Sequence, residues 1–304
     1  MTHHYGYVSA VLAALLFGIS STLNKIALRN VHPMIIAGSI YLTAGIVLML
    51  LRFTPLRGKI LERLEFRVKT QEFFSKRDIL ILAFIVLFGS FLAPLSFMFG
   101  LNRTTAVNAS LLLNTETLFT VLIALIVFKE RASRRSIIGI LLILIGAVVI
   151  STENFREVEL SKGIVGNILI ILAGLSWAID NNLSKLLSVK RDLLLVTSLK
   201  GLFGGSALLT LASLIGVPFY IPLQSLPYVL TVGAFSIGFS LVLFLFALRE
   251  IGAMRTGAIF STSSLIGALF AFLALGESLT ALKVVFGMIM LLGAYVLSGE
   301  EIHK

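Results

Sequence analysis

Five ionisable side chains stand inside or at the ends of long apolar runs: Glu116, Asp180, Lys200, Lys25 and Lys185. A charge placed there costs roughly 2.5 to 3.5 kcal/mol on insertion scales, so each should face a bundle interior or a wet cavity. Glu116 sits at the middle of its run with no basic residue at its own depth. A carboxyl group so placed can take up and release a proton, as a proton-coupled carrier requires, or it can stay protonated and bond to a neighbouring helix. Asp180 and Lys200 lie at one depth, each about five residues, or roughly 7 to 8 Å, from the midpoint of its run. They can neutralise each other as a structural ion pair, or part to hold the two charged ends of a zwitterion. Lys25 and Lys185 close their runs, where a lysine anchors by reaching toward headgroups and meets the negative end of the helix dipole.

Neutral polar residues extend these positions into stripes. Phe17, Ser20, Ser21 and Asn24 fall on one helix face, and Trp177, Asp180, Asn181 and Ser184 fall on another with the same spacing. Asn114 and Thr115 are answered by Ser261, Thr262 and Ser263. A single polar residue of this kind serves as glue between helices. Whole stripes that recur favour a shared central cavity.

The elements carrying these stripes are themselves repeated. Leu12 to Lys25, LAALLFGISSTLNK, recurs 160 residues later as Leu172 to Lys185, LAGLSWAIDNNLSK. Ala106 to Glu130 recurs 147 residues later as Ala253 to Glu277, with Ala106, Thr115, Leu118, Leu122, Ala124 and Glu130 all matched. The unequal offsets require a loop longer by about 13 residues in the first half, and the polar stretch 52–77 supplies it. The chain reads as a tandem duplication, residues 5–151 and 163–298.

With 58% apolar and 13% charged residues and a mean hydropathy of +1.02, the chain is expected to be an all-α integral membrane protein. Its apolar runs lack the period-two alternation of a transmembrane barrel. Ten such runs extend from Tyr7–Leu28 to Leu282–Leu297, five in each half, the eighth and ninth being Leu226–Leu248 and Ala253–Leu275. Because five is odd, the two repeats are expected to have inverted topology. Basic residues gather in alternate loops: Arg52 to Arg77, then Lys129, Arg131, Arg134 and Arg135, then Lys190 and Arg191. That asymmetry places both termini in the cytoplasm, with the first helix retained and not cleaved as a signal peptide. It also accounts for the net charge of +10 without nucleic acid as partner. In the 52–77 loop, Ile60, Leu61, Leu64 and Val68 either lay a short helix on the anionic inner leaflet or belong to a solvated loop. Gly139 and Gly146, seven residues apart, mark a close-packed helix face.

At these residues the chain resembles the drug/metabolite transporter superfamily, and specifically its ten-helix EamA-type members, from Tyr5 to Leu297. The resemblance rests on the duplicated five-span unit, on Glu130 and Glu277 ending their helices, on the glycine-bearing spans that end IGAVVI and LGAYVL, and on the paired first-helix pattern. It implies secondary transport of small metabolites, often export of amino acids or related compounds, by alternating access through a cavity between the repeats. Relatives usually carry proline after the position of Glu116, where this chain has Thr117, with Ser264 at the equivalent place in the second half. A kink there is therefore not implied. A basic residue is common on the second helix of a repeat; Lys200 matches it, whereas Ile40 stands at its mate.

Other classes fit less well. A membrane-embedded enzyme needs paired acids, a metal cluster or an activated nucleophile. This chain has no cysteine, no metal-binding pattern among His3, His4, His32 and His303, and so no expected cofactor or metal. Nothing resembles a channel selectivity filter. The expected function is a metabolite carrier of the cytoplasmic membrane: Phe17 and Trp177 wall the cavity, Asp180 and Lys200 engage charged ends of a small-molecule substrate, and Glu116 couples to protons. An exporter of lipophilic or cationic drugs, using the same aromatic and acidic residues, is the alternative.

Overall fold

The computed structural model describes residues 3–54, 74–127, 133–152, 160–188 and 192–298, and every regular element among them is helical. In chain order these are α1 (His3–Gly18), α2 (Ser20–Ala27), α3 (Pro33–Phe53), α4 (Lys76–Ile85), α5 (Ala93–Arg103), α6 (Ala106–Leu112) and α7 (Thr115–Val127). There follow α8 (Arg134–Thr152), α9 (Leu160–Ser188), α10 (Leu193–Leu214), α11 (Leu226–Thr231), α12 (Ser240–Phe260), α13 (Ser263–Leu275) and α14 (Ala281–Ser298). Among the described residues, seven helical stretches are long and apolar enough to cross a membrane: Tyr5–Ala27, Pro33–Phe53, Lys76–Arg103, Ala106–Val127, Gly163–Ser184, Leu194–Leu214 and Leu226–Ala247. Outward-facing Ile138, Val148, Leu273 and Tyr295 are half or more exposed, as the rim of a helix bundle in lipid requires. The chain is a multi-pass membrane protein. Ile60, Leu61, Leu64 and Val68 of the long basic loop lie outside the described residues, as does Glu130.

Local sequence explains where these helices start. Ser75 and Asp78 form a capping box at α4, Thr105 accepts from the Asn108 N–H at α6, and the Asp192 carboxylate accepts from the Leu195 N–H at α10. Asp192 also meets Arg52 at 2.9 Å, tying the end of α3 to the start of α10.

The eighth and ninth runs differ from expectation in outline. Helical residues follow one another from Ser240 to Phe260 with no loop between them, where the charged stretch near Arg249 was expected to divide two helices. The chain nevertheless folds back within it. The rings of Phe244 and Phe260 are 4.8 Å apart, although sixteen residues of straight helix would separate them by about 24 Å.

Helices from the two halves interleave. The first-half helix α3 lies along α10, α8 along α14 and α6 along α13, while α1 packs on α12 and α9 packs on α5 and α7. Ile35, Leu101, Leu112, Ile170, Leu208 and Met290 belong to one buried apolar cluster drawn from both halves. Gly139 and Gly146 do lie in a packing face, the first against the Gly293 carbonyl and Leu297, the second against Met290.

Two irregularities recur at positions about 147 residues apart. Val86–Leu92 and Val232–Phe239 are both π-helical, widening the backbone between α4 and α5 and between α11 and α12. Helices also break at Leu113–Asn114 and at Ser261–Thr262 with no proline present. Thr115 donates to the Leu112 carbonyl at 2.7 Å, and its repeat mate Thr262 donates to the Ile259 carbonyl at 2.6 Å. A hydroxyl bonded three residues back competes with the main-chain ladder, which tightens there to i−3 bonds such as Glu116 N–H to Leu113 and Thr262 N–H to Ile259. A break is thus present at both positions without proline, with a threonine bond at each.

Candidate functional site

The sixth apolar run, α9, carries the centre of the site, and its consecutive residues Asp180 and Asn181 face different neighbours. Asp180, 1% exposed, accepts a hydrogen bond from Lys200 of α10 and a second, at 2.9 Å, from the Ser184 hydroxyl. Asn181 turns toward α7 and donates to Glu116 at 2.7 Å. The helix break upstream of Glu116 places that carboxylate in the first turn of α7, at the favourable end of the helix dipole. Two carboxylates and one ammonium thus stand side by side, each on a different helix.

One turn back along α9, Trp177 borders a small aromatic cavity of about 20 Å³. Phe17, Ser20 and Asn24 line it from the first helix, Trp177 from α9, and Tyr41, Phe97 and Met98 from α3 and α5. Asn24 is 3% exposed, and its side-chain oxygen is a buried acceptor with no hydrogen-bond partner among the described residues. Such an acceptor is costly unless a donor reaches it. Phe17 meets Phe260 with ring centres 5.2 Å apart and planes tilted by 43°, so the wall it forms continues into the second half.

Not every expected site residue faces this cavity. Ser21 borders a smaller crevice with Ser110, Ser263 and Ser264. Asn114 donates to the Ser264 hydroxyl at 2.8 Å, tying the two helix breaks together, and Ser264 in turn donates to the Ser261 carbonyl. Thr262 is bonded to its own helix. Of Lys185 only the backbone is described. Lys25 does not reach for headgroups; its ammonium donates to the carbonyls of Leu101 and Thr104, both at 2.5 Å.

Two residues enter that the sequence reading passed over. Trp177 donates from Nε1 to the Tyr41 hydroxyl and to the Gly89 carbonyl, each at 3.1 Å. Gly89 lies within the π-helical turn, and a methyl group there would run into the Asp180 carboxylate. The wide turn thus orients Trp177 and crowds Asp180 toward Lys200. Gly89→Ala is expected to displace the acid and abolish transport, with protein yield reduced less than transport; transport at the parent rate would contradict this packing.

A helical membrane bundle with charged groups buried between its helices defines the class, and comparison supplies the family. The profile of the EamA-like transporter family matches residues 4–152 and again 164–299. A protein of Methanothermobacter thermautotrophicus named "Uncharacterized transporter" is 41% identical over 298 residues, covering 98% of this chain and 87% of that one. An "Uncharacterized transporter" of Clostridium kluyveri is 22% identical over 94% of this chain and 90% of its own. One crystal structure superposes with a TM-score of 0.66 at 15% identity, over 96% of this chain and 95% of that chain, a likeness of fold alone. The chain belongs to the EamA-like transporter family.

Proposed function

We propose that the protein is a secondary carrier that moves a small zwitterionic metabolite, an amino acid or related compound, by alternating access. The observation that carries this reading is the set of buried charged groups, Asp180 with Lys200 and Glu116 with Asn181, one helical turn along α9 from Trp177, which lines an aromatic cavity together with Asn24 and its unpartnered oxygen. A zwitterion offers an ammonium to Asn24 and Asp180 and a carboxylate to Lys200, and its side chain packs on Phe17, Phe97 and Trp177. Glu116, held by the neutral amide of Asn181, exchanges a proton with each transport cycle. The Asp180–Lys200 pair opens to admit the ligand and closes when the cavity is empty, so no bare charge is stranded.

Ten spans in two inverted repeats are the architecture that fits this cycle. Support comes from the two successive matches to the family, the paired π-helical turns, and the same threonine bond at Thr115 and Thr262. Basic loops on one face favour a cytoplasmic-membrane orientation with both termini inside; export as the net direction follows only from the resemblance to metabolite carriers.

Purified protein in proteoliposomes, given labelled amino acids and lipophilic cations with and without an imposed pH gradient, tests the reading. Gradient-dependent accumulation of at least one amino acid is expected. Movement of lipophilic cations alone would replace this reading with that of a drug exporter, for which the aromatic walls and two acids also supply the chemistry.

A further inference from the structure

The turn between α5 and α6, at residues 103–105, is held by side chains from three distant parts of the chain. Lys25 donates to the Leu101 and Thr104 carbonyls at 2.5 Å. Glu277 accepts from the Ala106 N–H at 3.0 Å and the Val107 N–H at 2.8 Å. The Thr104 hydroxyl donates to the Asn167 side-chain oxygen at 2.5 Å. Here one helix ends and the next begins, so its last carbonyls and first N–H groups have no partners within a helix. Lysine at a helix C-terminus and glutamate at a helix N-terminus are the charges that the two dipoles favour.

These bonds lie over the end of the cavity remote from the basic loops. Asn24, which precedes Lys25, and Phe97 and Met98, which stand one to two turns before Thr104, all line the cavity beneath them. Glu277 is aimed inward by Gly276, whose φ of +65° makes a reversal that a side-chain-bearing residue rarely adopts. Lys25 comes from the first repeat, Asn167 and Glu277 from the second. If the halves rock apart at this end, the three bonds from Glu277 and Asn167 must break together, while Lys25, in the same repeat as the turn, braces the turn in the position where those bonds can form.

We propose that Lys25, Glu277 and Asn167 form a latch on the residue 103–105 turn that closes the cavity at this end, and that its release opens the cavity to that side of the membrane. The proposal rests on the carrier reading above, but its test needs no substrate.

The chain has no cysteine, so Met98→Cys gives a single reporter inside the latch. An impermeant maleimide is applied to oriented membranes from one side or the other. With Glu277→Gln or Lys25→Met added, labelling from the latch side is expected to rise about tenfold, the scale of losing a pair of charge-assisted hydrogen bonds, while labelling from the basic-loop side falls. The double variant should exceed either single one by no more than about twofold, because both residues hold the same turn. Glu277→Asp should restore part of the parent rate. Unchanged labelling overturns the latch, as does a rise from both sides, which would mean a loosened fold. The parent reporter separately tests the carrier reading: labelling from one side alone, with none from the other, contradicts alternating access whether or not the variants shift.

Discussion

Glu116→Gln is expected to abolish accumulation driven by a pH gradient while leaving exchange of substrate across the membrane intact. A gradient of one pH unit supplies about 1.4 kcal/mol per proton, enough for about tenfold accumulation if one proton moves with each substrate. Glutamine keeps the shape of the side chain and still meets Asn181, whose amide can turn to offer either its oxygen or its nitrogen. It cannot carry a proton. The accumulation ratio of the variant should therefore fall to about one, with counterflow between equal concentrations near the parent rate. Loss of both activities would make Glu116 a substrate ligand, and retention of both would leave it a structural residue between α7 and α9.

The second large effect concerns Asp180 and Lys200. Asp180 is buried and Lys200 nearly so, with side-chain exposures of 2% and 19%. Removing one partner strands the other charge, which costs about 3 to 5 kcal/mol, so Asp180→Asn and Lys200→Met should each lower the thermal stability of the detergent-solubilised protein sharply. The double variant, with neither charge, should recover most of that stability, since a neutral pair of similar volume has no desolvation to offset. Transport should not recover. Those two readouts separate the roles: a double variant that is stable and transports like the parent would make the pair structural, whereas stability without transport assigns it to the substrate.

Sequence alone made some of this arrangement legible and hid the rest. The proposed duplication rests on identities such as Thr115 with Thr262 in the two halves, and the two threonines make the same bond in the structure. The proximity of Asp180 and Lys200 followed from depth, a one-dimensional quantity that helical rise converts directly from residue number. Direction around the helix is harder to read. Asp180 and Asn181 belonged to one stripe by spacing, yet they address Lys200 and Glu116 on different helices. Tyr41 was invisible for another reason: its repeat mate is Gly201, so comparing the halves singles out no polar position there. The roles of Gly89 and Lys25 depend on main-chain carbonyls, which carry no letter in the sequence, and the fold-back inside Ser240–Phe260 is made with no loop between its helical arms.

The most direct test of the central claim is substrate counterflow. Proteoliposomes are preloaded with unlabelled substrate and the initial influx of label is measured across a concentration series. A carrier with one alternately exposed cavity should saturate with concentration and run faster when unlabelled substrate waits inside, because the loaded form returns more quickly than the empty one. Influx that rises linearly with concentration and ignores the internal pool would describe a pore, and would contradict the carrier built here on Glu116, Asp180 and Lys200.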